Sequence, residues 1–341
     1  MRIMVTGGAG YIGAHLVRLL EERGDYVVVA DDLVTGDARR IAGTAVHQMD
    51  LASDGASRLL AEILRQERID AVVHFAARKQ VGESVAEPAR YYRDNIGSLA
   101  NTLLAMEEAS VGTLIFSSSA AVYGNPESGA LSELAPTIPI NPYGETKLVG
   151  EWLVADAVRA RTMRAASLRY FNVAGAREPN LADTAVLNLV PMVLERIELG
   201  EAPRIFGADY PTADGTCVRD YIHVQDLVEA HAAVLDHLAE ADPGHEVLNV
   251  GTGLGYSVRE MVDKIRTIAN FALPAEIRHR RPGDPAIVVA DPTRITEVTG
   301  WRARFGLDDI VQSAWEAHVE RRARALGSPN KLTRSAATSP N

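Results

Sequence analysis

Through the first 170 residues, short apolar runs rich in β-branched side chains alternate with segments of helical length, and nothing else in the chain restricts its folding as much. The strand-like runs are Arg2–Thr6, Tyr26–Ala30, Ala45–Gln48, Ala71–Phe75, Thr113–Ser117 and Ala165–Tyr170. The helical segments include Tyr11–Arg23, Ala56–Gln66, Ala89–Ala109 and Tyr143–Arg159. Such alternation needs crossover connections, hence a parallel sheet with helices on both faces. Strands that are apolar throughout fit burial on both sides. The expected class is α/β, a doubly wound parallel sheet. After Tyr170 the rhythm breaks: 171–183 reads as loop, 210–216 is rich in Pro, Asp and Gly, and another strand-like run comes at Val247–Val250. This pattern predicts a first domain over 1–172 that takes back elements near 223–250, and a smaller C-terminal α/β domain over 173–324. Segment 325–341, rich in Ser, Pro and Asn, is expected to be a disordered tail.

Hydrophobic residues make up 47% and charged residues 23% of the chain, enough for a sizeable core. No apolar run nears the ~20 residues of a membrane-spanning helix. With 35 Lys+Arg against 45 Asp+Glu the net charge is −10, which argues against non-specific binding to nucleic acid or to an anionic membrane surface. An anionic small molecule held by a local group of arginines remains compatible. The one cysteine, Cys217, excludes an internal disulfide and a multi-cysteine zinc site, and reads most simply as a small semi-buried residue. Met1–Val5 carries no signal-peptide character, so a reducing cytoplasm is expected. His74, His223, His231 and His237 lack metal-ligand spacing and no metal is expected; Trp152, Trp301 and Trp315 are expected in the core.

The first strand runs into Thr6-Gly7-Gly8-Ala9-Gly10-Tyr11-Ile12-Gly13 and then directly into an amphipathic segment. Glycines at 7, 10 and 13 allow a tight turn and close backbone approach to a pyrophosphate, which the free N–H groups and positive dipole of a helix start would hold. A glycine triplet alone also fits an ordinary strand–helix turn. Here Asp31 closes the second strand about 20 residues on, completing a Rossmann-type dinucleotide fingerprint. A carboxylate there accepts hydrogen bonds from a ribose and repels a 2′-phosphate, favouring NAD over NADP. Asp50, past the third strand, either reaches the adenine edge or is a surface-turn aspartate.

Asn141-Pro142-Tyr143-Gly144-Glu145-Thr146-Lys147 combines an N-cap, a first-turn proline and a tyrosine four residues before a lysine. The two side chains then share a helix face. A phenol with a pKa of roughly 10 is a poor base at neutral pH; a nearby ammonium would favour the phenolate. The pair is common by chance and gains weight from the glycine turn and from Ser117-Ser118-Ser119 at the end of a strand. Tyr123 has no lysine four residues on, so it is not read as the base.

On these features, and on His74-Phe-Ala-Ala77, Lys79-Gln-Val-Gly-Glu-Ser84, Phe116-Ser-Ser-Ser-Ala-Ala-Val-Tyr-Gly124, Arg169-Tyr-Phe-Asn172 and Arg219-Asp-Tyr-Ile-His-Val224, the chain resembles the extended short-chain dehydrogenase/reductase family, and within it the nucleotide-sugar 4-epimerases. The resemblance covers residue 1 to about residue 320. It implies that NAD is held by Gly7, Gly10, Tyr11, Ile12, Gly13, Asp31, Asp32, Asp50, Leu51, Phe75, Ala76, Ala77, Lys79, Asn95, Tyr143, Lys147 and Phe171. Tyr143 is implied as the base on a sugar 4-hydroxyl, Ser119 as its partner on the same oxygen, and Lys147 as the residue that binds the nicotinamide ribose and lowers the tyrosine pKa. The implied reaction is reversible C4 inversion between UDP-glucose and UDP-galactose through a 4-keto sugar. A UDP-sugar would meet Ser119, Tyr143 and Asn172, with Asn188 and Leu189 near the diphosphate, Arg204 to Phe206 at the uracil, and Arg219 and Arg281 clamping phosphate beside Asp284. Planar guanidinium forks suit that role. A homodimer through the helices around Ala89–Ala109 and Tyr143–Arg159 is implied as well.

Relatives that dehydrate or decarboxylate the keto sugar place acids just after the hydroxyl residue; here stand Ala120 and Ala121. The residue associated with sugar size aligns near Val288, smaller than the tyrosine often found there, so N-acetylated sugars are expected to fit. Other readings are a 4-epimerase of UDP-GlcNAc/GalNAc, a UDP-uronic acid or a UDP-pentose, and a non-enzymatic NAD-sensing scaffold. Retention of Ser119, Tyr143 and Lys147 together argues against the scaffold.

Overall fold

The computed structural model describes residues 1–126, 129–281, 283–325 and 327. In chain order its strands are β1 (Arg2–Thr6), β2 (Tyr26–Asp31), β3 (Ala45–Gln48), β4 (Ala71–His74), β5 (Thr113–Ser117), β6 (Ala130–Leu131) and β7 (Arg164–Tyr170). There follow β8 (Asn172–Ala174), β9 (Arg204–Phe206), β10 (Val218–His223), β11 (Gly244–Val250), β12 (Gly255–Ser257), β13 (Glu276–Arg278) and β14 (Ile287–Ala290). The helices are α1 (Tyr11–Glu22), α2 (Ala56–Gln66), α3 (Val81–Ala86), α4 (Pro88–Ala109) and α5 (Pro142–Ala160), then α6 (Leu189–Glu198), α7 (Val224–Glu240), α8 (Val258–Ile268), α9 (Thr293–Thr299) and α10 (Leu307–Ala325).

Seven parallel strands form the main sheet in the order β11-β7-β5-β4-β1-β2-β3. Successive residues of each strand enter opposite cores, which is why the runs are apolar throughout. Ile3, Val5, Val27 and Val29 pack with α1 and α7 on one face. Met4, Val28, Ala30 and Leu114 pack with α2 and α4 on the other. Each large aliphatic side chain so buried contributes ~1.5–3 kcal/mol. Strand order reverses between β1 and β4, and the crevice beyond their carboxyl ends is where ligands of open α/β sheets bind.

A smaller sheet runs β12-β10-β14-β6, with β8 also paired to β10, and β9 pairs β13 separately. Beneath it Val193, Leu194, Tyr221, Met261, Ile265 and Ile310 make a third core. A fourth cluster, containing Val122, Tyr123, Leu148, Phe171 and Val288, joins the two halves.

Several boundaries differ from the sequence reading. The strand expected at Val247–Val250 begins at Gly244, because its register with β7 extends back to Arg164. The segment read as loop from Phe171 contains β8, whose three residues pair with Tyr221–His223. Helix α10 reaches Ala325, while 328–341, expected as a tail, lies outside the described residues. Trp152 is corrected: it is 59% exposed, since α5 turns its neighbours Leu148, Glu151 and Val154 inward. Trp301 is buried, and Trp315 packs on the third core. No described helix is long and apolar enough to cross a membrane.

The buried histidines work as neutral hydrogen-bonding spacers. His231 Nδ1 donates to the Leu227 carbonyl at 2.8 Å and His15 Nδ1 to that of Tyr11 at 2.8 Å, and burial pushes both rings down to about 4. Their folded pKa lies below the unfolded value of roughly 6.5, so the unfolded chain gains protons first as pH falls. The stability they secure is intact above about pH 6.5 and declines toward pH 4. A His231→Gln variant should therefore lose less stability than the parent between pH 7 and pH 5, by up to ~1.4 kcal/mol per pH unit in urea unfolding. Parallel losses in both proteins would exclude this role for the ring.

Candidate cofactor cleft and active site

The turn after β1 and the start of α1 leave no room for a Cβ at Gly7 or Gly13. Gly7 has φ +69°, and a Cβ on it would lie 2.7 Å from the Ala76 amide nitrogen. A Cβ on Gly13 would sit 2.3 Å from the Gly7 carbonyl oxygen, so this glycine sets how closely α1 approaches the strand end. Helix α1 starts at N-cap Gly10 with no side-chain cap and no acidic residue in its first turn. Its open amides and positive dipole end face the crevice, the donor set a pyrophosphate requires.

Asp31 ends β2 almost fully buried, Oδ2 accepting from Ala9 N and Oδ1 from Leu33 N, both at 2.9 Å. Desolvation raises its pKa, while these two amides oppose the rise. It lines the cleft, as does Asp32, whose Oδ1 accepts from Val34 N. Asp50 Oδ1 accepts from Ala52 N in a surface turn, and the residue forms part of the cleft wall. The other expected cofactor residues lie along the same wall, from Tyr11 and Ile12 through Leu51, Phe75, Ala76, Ala77 and Lys79. Phe171 is the exception, buried in the fourth cluster with Tyr123 and Val288. Asn95 lines the cleft but commits its amide inward, Oδ1 accepting from Arg78 N at 2.8 Å and Nδ2 donating to Thr146 Oγ1 at 3.0 Å. It thereby ties the wall to α5.

Of the wall residues that the sequence reading did not name, Arg40 and Tyr170 are the most telling. Arg40, buried in a 3₁₀ turn, donates to the Ala182 carbonyl and Thr184 Oγ1 at 3.1 Å each; no local pattern marks it. Tyr170 lines the cleft with its hydroxyl bonded to Ser117 Oγ, and its place at a strand end inside Arg169-Tyr-Phe-Asn172 was the available signal.

Helix α5 begins where its sequence requires, with Asn141 Oδ1 capping Gly144 N at 2.9 Å and Pro142 in the first turn. Tyr143 and Lys147 consequently share the helix face toward the cleft. Ser119 Oγ accepts from Ala121 N at 3.2 Å, and the hydroxyl stands near enough to the Tyr143 phenol to favour its ionised form. Lys147 Nζ donates to the Ser117 carbonyl at 2.7 Å and stands 5.9 Å from the Tyr143 ring centre. The protein's own groups do not depress the phenol as the lysine argument expects. Burial pushes it above its usual value, opposed only by Ser119, and burial also lowers Lys147 to about 7, weakening the charge that would act on it. Ser119 caps the 3₁₀ turn 120–123, where Ala120 and Ala121 leave no carboxyl beside it.

Apart from Ser119 and Tyr143, the residues expected at a sugar nucleotide stand off the cofactor cleft wall. The Arg281 guanidinium lies 4.0 Å over the Phe206 ring, and Arg280 stacks likewise on Tyr210. Strand register places Arg219 beside Val288. Asn172 is exposed on β8 and Asp284 is exposed near Arg281. Arg204 is exposed, 3.7 Å from Glu276, and Asn188 Nδ2 donates to Asp183 at 2.9 Å. Leu189 leans on the third core. Among the described residues no group of three or more His, Cys, Asp or Glu could hold a metal.

A glycine turn at the switch point of a doubly wound sheet, with a buried acid at the second strand and a Tyr–Lys helix on the opposite wall, defines a dinucleotide-dependent enzyme of the Rossmann class. The chain belongs to the NAD dependent epimerase/dehydratase family, whose sequence profile matches residues 3–251. It is 44% identical to a UDP-glucose 4-epimerase of Azospirillum brasilense over 336 residues, covering 96% of this chain and 95% of that one. Among solved structures it is similar to UDP-glucose 4-epimerase from Stenotrophomonas maltophila with bound NAD and formylated UDP-arabinopyranose. There the TM-score is 0.89 at 39% identity, covering 96% of this chain and 100% of that one. The Bifidobacterium longum UDP-glucose 4-epimerase in complex with NAD+ and UDP matches with TM-score 0.86 at 36% identity, covering 94% and 99%.

Gly144 tests how tightly α5 is seated. A Cβ there would lie 2.6 Å from the Ala121 carbonyl oxygen, pressing the start of α5 away from the turn that bears Ser119. Gly144→Ala should destabilise the fold by about 1–3 kcal/mol. Gly82→Ala, with nothing within 4 Å, should be neutral or stabilise by up to ~1 kcal/mol. Thermal melting of both variants checks the contrast.

Proposed function

We propose that the chain interconverts UDP-glucose and UDP-galactose, inverting C4 through a 4-keto sugar with NAD as its resident cofactor. The observation that carries this reading is that α5 sets Tyr143 and Lys147 together on the wall of a dinucleotide cleft. Bound NAD supplies a hydride acceptor and donor and, when oxidised, a fixed positive charge. Tyr143 takes the proton from the sugar 4-hydroxyl and returns it after the keto sugar has presented its other face. Ser119 holds the same oxygen, and Lys147 steadies the ribose while anchored to the Ser117 carbonyl. With alanines at 120 and 121, no neighbouring carboxyl can divert the keto sugar into elimination or decarboxylation. Arg219 and Arg281 clamp the diphosphate, and the ring of Phe206 supports the base.

The same reading divides the chain into a cofactor part over 1–172, with elements near 223–250, and a nucleotide-sugar part over 173–324. We assign it to the cytoplasm as a homodimer joined through α4 and α5, on which Leu104 and Trp152 are large exposed apolar side chains.

Purified protein should convert UDP-galactose to UDP-glucose without added NAD, as followed by chromatography. Tyr143→Phe should lower turnover by about 10²–10⁴-fold while keeping its nucleotide. Near-normal turnover in that variant would remove Tyr143 as the base.

A broader sugar range is favoured by one observation: Val288, 8% exposed, packs against the cluster containing Phe171 and flanks Arg219 without a bulky ring. UDP-GlcNAc should react or compete with UDP-galactose, and Val288→Tyr should abolish this while sparing the smaller sugar. Absence of both reaction and competition in the parent would confine the enzyme to unsubstituted hexoses.

A further inference from the structure

Helix α5 carries a third residue in step with Tyr143 and Lys147. Glu151 follows Lys147 by four positions, so the three side chains stand on one face at successive turns. Opposite them lies the end of β5 with its three consecutive serines. Two of the serines bond to members of the three, the Ser117 carbonyl accepting from Lys147 Nζ at 2.7 Å and the Ser118 hydroxyl donating to Glu151 Oε1 at 2.5 Å, while the Ser119 hydroxyl lies near the Tyr143 phenol and favours its ionised form.

The third contact lies behind the cleft wall. Ser118 is fully buried and Glu151 nearly so. Arg169, from β7 and equally buried, closes on the carboxylate, Nε donating to Oε1 at 2.8 Å and Nη2 to Oε2 at 2.6 Å. Its remaining nitrogen donates to the Tyr123 hydroxyl at 3.1 Å and the Glu133 carbonyl at 3.2 Å. A buried ion pair is weak evidence for stability, because well-packed apolar side chains often serve the fold as well. What sets this pair apart is where the carboxylate's third hydrogen bond goes. Strand pairing of β5 ends at Ser117, opposite Leu168. Beyond it the sheet no longer dictates the backbone, and Ser119 must be aimed by other contacts. Ser118 is the residue between the two serines that serve Tyr143 and Lys147, and Glu151 holds it.

We propose that Glu151, neutralised by Arg169, is a positioning residue for the epimerisation: through Ser118 it fixes the 117–119 turn so that Ser119 and the Ser117 carbonyl meet Tyr143 and Lys147. This rests on the functional reading above, in which Tyr143 is the base. The residue touches neither substrate nor cofactor and acts only through its neighbours.

The test is Ser118→Ala, which removes the tie and leaves the Glu151–Arg169 pair in place. On the NAD-loaded protein with UDP-galactose, kcat should fall roughly tenfold to a hundredfold, the scale of a small misplacement at a reacting centre, with KM within about twofold. In a Ser119→Ala background the same change should lower kcat by a clearly smaller factor, because its effect passes through Ser119. Should alanine disturb the fold, Ser118→Cys, nearly isosteric but a poor donor, carries the same expectation. An unchanged kcat overturns the proposal, and so does an equal factor in both backgrounds. If the parent itself converts neither UDP-galactose nor UDP-GlcNAc, the functional reading falls and this one with it; an active parent with unaffected Ser118 variants removes only the positioning role.

Discussion

Closeness of backbone to backbone at the first turn is the constraint on which the rest depends. Because Gly13 has no side chain, α1 can start against the Gly7 carbonyl, and its uncapped amides open at the point where strand order reverses. Everything else in the cleft is placed relative to that start: Asp31 one strand over, bonded to Ala9 of the same turn, and α5 across the crevice, tied by Asn95 to the wall that follows β4. One missing carbon on a helix therefore sets the width of a cleft built from five strands and several loops.

Across the cleft the controlling effect is desolvation. It raises the Tyr143 phenol and lowers Lys147 to about 7, so both groups are biased toward their neutral forms. A tyrosine in that state holds its proton and is a hydrogen-bond donor, well suited to waiting beside Ser119. On the proposed function, the fixed positive charge of an oxidised nicotinamide would be the counterweight that favours its phenolate. Proton chemistry would thereby be coupled to a loaded cofactor. Behind this pair the Glu151–Arg169 contact keeps its charges matched and so disturbs neither group.

How far the chain could be read in advance follows from which contacts are local. The period of the apolar runs located the strands of the main sheet, and glycine spacing with Asp31 located the turn, because a strand–turn–helix unit is encoded within some thirty residues. Helix α5 was equally legible, since its cap, its proline and the Tyr–Lys spacing all lie within seven residues. Trp152 was misjudged. It sits one residue past the inward-facing Glu151, and one step along a helix turns a side chain to another face. Arg40 had no local signal at all, its partners Ala182 and Thr184 lying far along the chain. The smaller sheet was opaque because β10 gathers β8, β12 and β14 by long-range pairing that no periodicity announces.

Asn249 gives the two halves an unexpected mechanical relation. It lies fully buried on the outermost strand of the main sheet, yet donates to the Leu131 carbonyl in the smaller sheet at 2.7 Å and accepts from the Tyr123 hydroxyl at 2.7 Å. Its own amide donates to Glu133 Oε1 at 2.7 Å. The smaller sheet is thus bolted to the larger along that edge, and swinging it outward as a rigid flap would strand several desolvated polar groups at once. Bending of surface segments alone, with the two sheets kept as one block, leaves all of these bonds intact.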